Sequence, residues 1–104
     1  MPIEFPRIER PIRLGDYQEE LGDLAIPVWV NVPRRIIQEI GELPRVENAK
    51  VMAWLSEIWG PDWPAETIQQ LFEKCMEQDP ALWHWLLGET LKPLLDYRNG
   101  VKKN

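Results

Sequence analysis

From Leu24 to Val32 the chain alternates, with Leu24, Ile26, Val28, Val30 and Val32 set against Ala25, Pro27, Trp29 and Asn31. Period two predicts a strand with one apolar face. Pro27 has no N–H to give, so the pattern reads as an edge strand or a bulged one. Upstream, Pro2, Pro6 and Pro11 fall among charged and apolar residues. This predicts an extended arm over residues 1–13, with an edge strand near Ile12–Leu14. Asp16 and Glu19 have capping-box spacing, but Gly22 ends any helix there, leaving a turn or one helical turn. So short a ribbon needs helices to cover it.

After Pro33 the period lengthens to that of a helix. Ile36, Ile37, Ile40 and Leu43 form one stripe, with Asn31 or Val32 in the cap region and Gly41 as the stop. A second helix is expected from about Glu47 to Trp59, with Val51, Leu55 and Ile58 on one row, Met52 and Trp59 beside them, and Gly60-Pro61 ending it. Pro64 opens a third, in which Ile68, Leu71, Phe72 and Cys75 repeat at i, i+3, i+4 and i+7 beside Met76. Asp79-Pro80 gives a cap followed by a first-turn proline, and the fourth helix runs to Tyr97 or Asn99 before Gly100. Gly88 and Pro93 should bend it.

The fold class is therefore mainly α with a short N-terminal β-ribbon (α+β). It is a single domain over 1–104, divided into an arm (1–13), a ribbon (14–32), a helical body (33–99) and a tail (100–104). A length of 104 residues suits one domain and one modest core. An apolar fraction of 44% with 28% charged residues argues against wholesale disorder.

A net charge of −5 with no basic stripe makes the chain a poor binder of phosphate backbones, so no nucleic-acid partner is expected. Arg98, Lys102 and Lys103 read as a solvated helix end. Met1–Pro6 lacks the apolar core of a signal peptide, and no apolar run approaches the roughly 20 residues of a membrane span. Cys75 stands alone, excluding an intrachain disulfide. A soluble, cytoplasmic protein with no membrane partner is expected.

Catalytic equipment is sparse. His84 and Cys75 are single and sit on different helices across Asp79-Pro80, with no third group to orient the imidazole. Ser56 is the one serine and lies within a helix, outside any nucleophile elbow. One cysteine and one histidine do not make a typical zinc site, and single scattered glycines make no phosphate loop, so no cofactor or metal is expected. Glu73 and Glu77 share a helical face, which reads as solvated rather than as a proton-sharing pair. Cys75 reads as core, and His84 as packing or interface. The expectation is a non-enzyme.

Aromatic surface, in contrast, is in surplus: there are six tryptophans. In Ala81–Leu87, Trp83 and Trp85 diverge by about 160° around the helix, and with Leu82, Leu86 and Leu87 they wrap nearly its whole circumference. Such a helix is either central to its own domain or covered by another chain. Trp63, in the Gly60–Pro64 connection, either staples the turn or anchors a partner. Trp29, opposite the valines, either packs under a helix or marks a bare face. Trp29, Trp63, Trp83 and Trp85 are the candidate partner-binding residues, with Met52 and Met76 as adaptable surface.

The segment Pro11–Leu14 leading to Ile26–Pro33, the Trp59–Pro64 connection and the closing helical pair resemble the small tail assembly chaperones of long-tailed bacteriophages. The resemblance covers most of the chain as architecture, although the linker between helices is short and the acidic loop is reduced. It implies an extended ribbon before a helical body, binding to the tape-measure protein or tail-tube subunits, and frequent homo-oligomers. It implies no catalytic residue. Two other readings stay open: a structural component of a virion or multi-subunit complex, and a small regulatory adaptor.

Overall fold

The computed structural model describes residues 6–42 and 47–102. Strands β1 (Glu9–Arg13) and β2 (Ala25–Trp29) precede helices α1 (Arg34–Ile40), α2 (Asn48–Trp59), α3 (Ala65–Gln78) and α4 (Pro80–Lys102). Two single 3-10 turns, Leu14–Asp16 and Glu19–Leu21, join the strands. The chain is thus mainly helical with a two-stranded antiparallel ribbon at its start, as its periodicity predicts. Residues 1–5 of the expected arm, Leu43 of the expected α1 stripe and Lys103 of the basic tail lie outside the described residues.

The ribbon places its two prolines with some economy. Its register runs from Glu9↔Trp29 to Arg13↔Ala25 and sets Pro11 opposite Pro27. It is extended by Leu14 N–H to Leu24 O (3.0 Å) and Val30 N–H to Ile8 O (2.9 Å). Antiparallel pairs alternate between bonded and non-bonded, so the even-numbered residues carry the ladder. The odd-numbered ones aim their backbone groups at the outer edges. Pro11 and Pro27 therefore interrupt no ladder bond, and each removes the middle donor of an open edge. Residues 24 and 30–32, expected as strand, lie beyond β2, and Asn31 turns aside. Its amide donates to Pro6 O (2.6 Å) and accepts from Ile8 N–H (2.8 Å), fastening the arm instead of capping α1.

The even-numbered side chains Ile12, Ile26, Val28 and Val30 are buried and face the helices. Helix α2 packs on β2, α4 crosses both strands, and α3 fills in against α2 and α4. The core side of α2 is Met52, Trp54, Leu55, Ile58 and Trp59. Met52 is 2% exposed, so it adds no adaptable surface, whereas Met76 is 37% exposed. Trp54, absent from the expected α2 rows, is buried with its indole N–H on Ile36 O (3.1 Å), pinning α1 to α2.

Helices α1, α2 and α3 begin at Pro33, Glu47 and Pro64 without a side-chain cap. Their stability comes from tertiary packing of their apolar faces. Pro80 occupies the first position of α4, as expected, and that helix continues through Gly88, Pro93 and Gly100 to Lys102. The expected stop at Gly100 does not occur. A glycine ends a helix most readily in a left-handed conformation, and among the described residues positive φ is confined to Gly22 and Gly60.

Candidate protein-interaction site

The 3-10 turns form one wall of an apolar groove, and α3 with the start of α4 forms the other. Its apolar lining is Leu14, Leu21, Leu24, Leu71, Cys75 and Leu82, around a volume of about 310 Å³. Leu24 stands at the rim, 61% exposed. A large aliphatic side chain that open to water is one a partner can desolvate with gain. The turns hold this wall through a backbone contact. A Cβ on Gly15 would lie 2.6 Å from Gly22 O, and Gly22 itself has φ 60°. Only glycine accepts both positions without strain.

Trp85 continues the surface, one helical turn beyond Leu82 on the same side of α4. It is half-buried against Tyr17, with ring centroids 5.2 Å apart. The Tyr17 hydroxyl donates to the Asp79 carboxylate (2.8 Å), tying the turns to the α3–α4 junction. Asp79 thus gives its side chain to Tyr17. That hydrogen bond, with burial and the carboxylate's charge, raises the Tyr17 pKa above its ordinary value. Burial likewise pushes up the Cys75 thiol, which keeps this groove residue protonated and poorly nucleophilic.

The other three candidate tryptophans lie in different settings. Trp83 is 4% exposed and packs edge-on against Phe72 at 5.1 Å, so in the free chain it is core and is withdrawn from the contact set. The rotation that turns Trp83 inward leaves Trp85 half-exposed. Trp63 is half-buried, edge-on to the buried Trp59 at 5.6 Å, which makes it a staple of the turn after α2. Trp29, also half-buried, lies beneath Arg7, whose guanidinium carbon is 4.8 Å from the ring. Arg7 also donates to Ile58 O (2.8 Å) and pairs with Glu9 (2.8 Å). A cation on the last carbonyls of α2 suits the helix dipole. The arm thereby covers part of Trp29.

A second cleft of about 300 Å³ lies where Val30, Val32, Ile37 and Leu94 meet, with Arg34 and Arg98 also in its lining. Neither this cleft nor the first groove has a candidate tryptophan in its lining, but Trp85 lies one helical turn from Leu82 of the first. His84 is exposed on α4, and Glu73 and Glu77 are exposed on α3. Among the described residues no three His, Cys, Asp or Glu side chains converge as metal ligands, and no helix is long and apolar enough to cross a membrane. Sequence reasoning singled out Trp85 but not the groove beside it. The leucines at 14, 21, 24, 71 and 82 share no period, because two come from turns, one from the loop before β2 and two from α3 and α4. No family model, curated protein or solved structure matches the chain.

Proposed function

We propose that this chain is a non-enzymatic protein-binding module that seats an apolar segment of another protein in the Leu24–Trp85 groove. The observation that carries the reading is an open leucine-lined groove continuous with a half-exposed tryptophan. Tryptophan and clustered aliphatics are the side chains that dominate protein interfaces once desolvated. Shielding such a segment is chaperone work. With the architectural resemblance, it makes the tape-measure or tail-tube proteins of a long-tailed bacteriophage the partners to test, and the chain a tail assembly chaperone.

The test is co-expression with the tape-measure and tail-tube proteins encoded in the same genome. The chain should raise their soluble yield and co-purify with them, and Leu24→Asp with Trp85→Ala should abolish both effects while the variant stays folded. Equal co-purification by the variant would remove the groove from the account. Finding the chain as a stoichiometric component of purified particles would replace the chaperone with a structural protein.

A further inference from the structure

The second cleft forms where the ribbon hands over to the helices. Val30 and Val32 follow β2, and Arg34 and Ile37 lie three apart on α1. Leu94, Tyr97 and Arg98 stand at i, i+3 and i+4 on α4, so one face of each helix meets the cleft. Val30 and Leu94 are buried and Val32, Ile37 and Tyr97 half-buried, which makes an apolar floor. The charged residues of the lining are Arg34 and Arg98, with no carboxylate beside them. In a chain of net charge −5 the sign is reversed here. Neither arginine has an acidic residue at i±3 or i±4: Arg34 has Val30, Asn31, Ile37 and Gln38, and Arg98 has Leu94, Leu95, Val101 and Lys102. Among the described residues neither joins an ion pair or a hydrogen bond through its side chain, whereas Arg7 and Arg35 both pair with glutamates.

An arginine fork matches the two oxygens of a carboxylate, and an aliphatic floor matches an alkyl chain. A volume of about 300 Å³ is at the small end for small-molecule sites. At about 30 Å³ per non-hydrogen atom, the share of a water molecule in the liquid, it takes about ten such atoms. We infer that this cleft binds a free aliphatic monocarboxylate of about eight carbons, its head on Arg34 and Arg98 and its chain along Val30, Val32, Ile37 and Leu94. A peptide is the poorer occupant. It brings backbone N–H groups, and the lining has no carboxylate to receive them, while the Asn31 amide is committed to Pro6 O and Ile8 N–H. The site is separate from the Leu24–Trp85 groove and stands without it.

Isothermal titration calorimetry of the full chain with octanoate tests this, with hexanoate, octylammonium and octanol for comparison. Octanoate should bind best, and hexanoate should be weaker by about fourfold for each methylene lost. Octylammonium and octanol, with the wrong head or none, should not bind measurably. The double variant R34Q/R98Q, changed at two exposed positions, should keep the parent's melting curve and bind octanoate about tenfold more weakly. Amide shifts in NMR spectra should move at Val30–Ile37 and Leu94–Arg98. Octanoate binding that ignores R34Q/R98Q, or octylammonium or octanol binding as tightly, would overturn the inference. No binding at millimolar octanoate would overturn it too, as would tighter binding of octyl phosphate or of a short peptide ending in a free leucine carboxylate. Shifts confined to residues 14–24 and 71–85 would put the ligand in the groove and overturn the inference, leaving the protein-binding reading to its own Leu24→Asp test.

Discussion

Thr90 is the single polar side chain buried in the described core, at 0% exposure. Its Oγ1 accepts the Trp59 indole N–H (3.1 Å) and its hydroxyl donates to Leu86 O (2.8 Å), joining α2 to α4. Thr90→Val keeps the shape and removes the acceptor. Leu86 O retains its helical partner, but the Trp59 N–H is left buried without one. An unsatisfied buried donor costs about 1–3 kcal/mol. At this chain length that lowers the melting temperature by roughly 4–8 °C per kcal/mol. Thr90→Ser retains both bonds and loses a methyl, for a smaller cost of about 0.5–1.5 kcal/mol. Circular-dichroism melts and guanidinium titrations of both variants, repeated in a Trp59→Phe background, separate the contributions. Thr90→Val should be the worse of the two, and its penalty should shrink where the indole N–H is gone. A Thr90→Val protein as stable as the parent would refute the role given to this pair.

Trp83→Ala should cost about 3–5 kcal/mol, because a fully buried ring leaves a cavity, whereas Trp85→Ala should cost about half that and leave a cooperative melt; denaturant titration of the two variants checks the order. Tyr17 has its pKa raised on folding, so its contribution to stability is intact below the ordinary value of 10.0 and fades as pH rises through the folded value. Stability measured from pH 8 to 11 should therefore fall further in the parent than in Tyr17→Phe, and parallel curves would contradict the Tyr17–Asp79 bond. Gly15→Ala should drive the two 3-10 turns apart at a cost of about 1–3 kcal/mol and weaken groove binding beyond what Leu24→Ala does. Unchanged stability would show that the turn-to-turn contact is not tight.

The ribbon and the four helices were legible because their signals are local. Alternation at 26, 28 and 30, the stop at Gly60-Pro61 and the start at Asp79-Pro80 each act within a few residues. What failed was the assignment of side chains that serve distant partners. Asn31 has the chemistry of a cap but fastens the arm, and the Asp79 carboxylate goes to Tyr17. Helical spacing correctly separated Trp83 from Trp85, but angular position does not say which side faces the core. Phe72 on α3 decides that. Met52, expected as adaptable surface, is core, and Trp54 stands outside the expected rows of α2, since α1 and the ribbon set which rows are enclosed. The groove was invisible because its lining comes from two turns and two helices, an arrangement that no single period announces.

Hydrogen–deuterium exchange of the full chain, alone and with a tape-measure or tail-tube protein as the proposed partner, tests the central claim most directly. Protection should appear in residues 17–24 and 71–85, on the two walls of the groove, and should vanish with Leu24→Asp. Protection confined to other segments, or none in a complex that forms, would contradict the account.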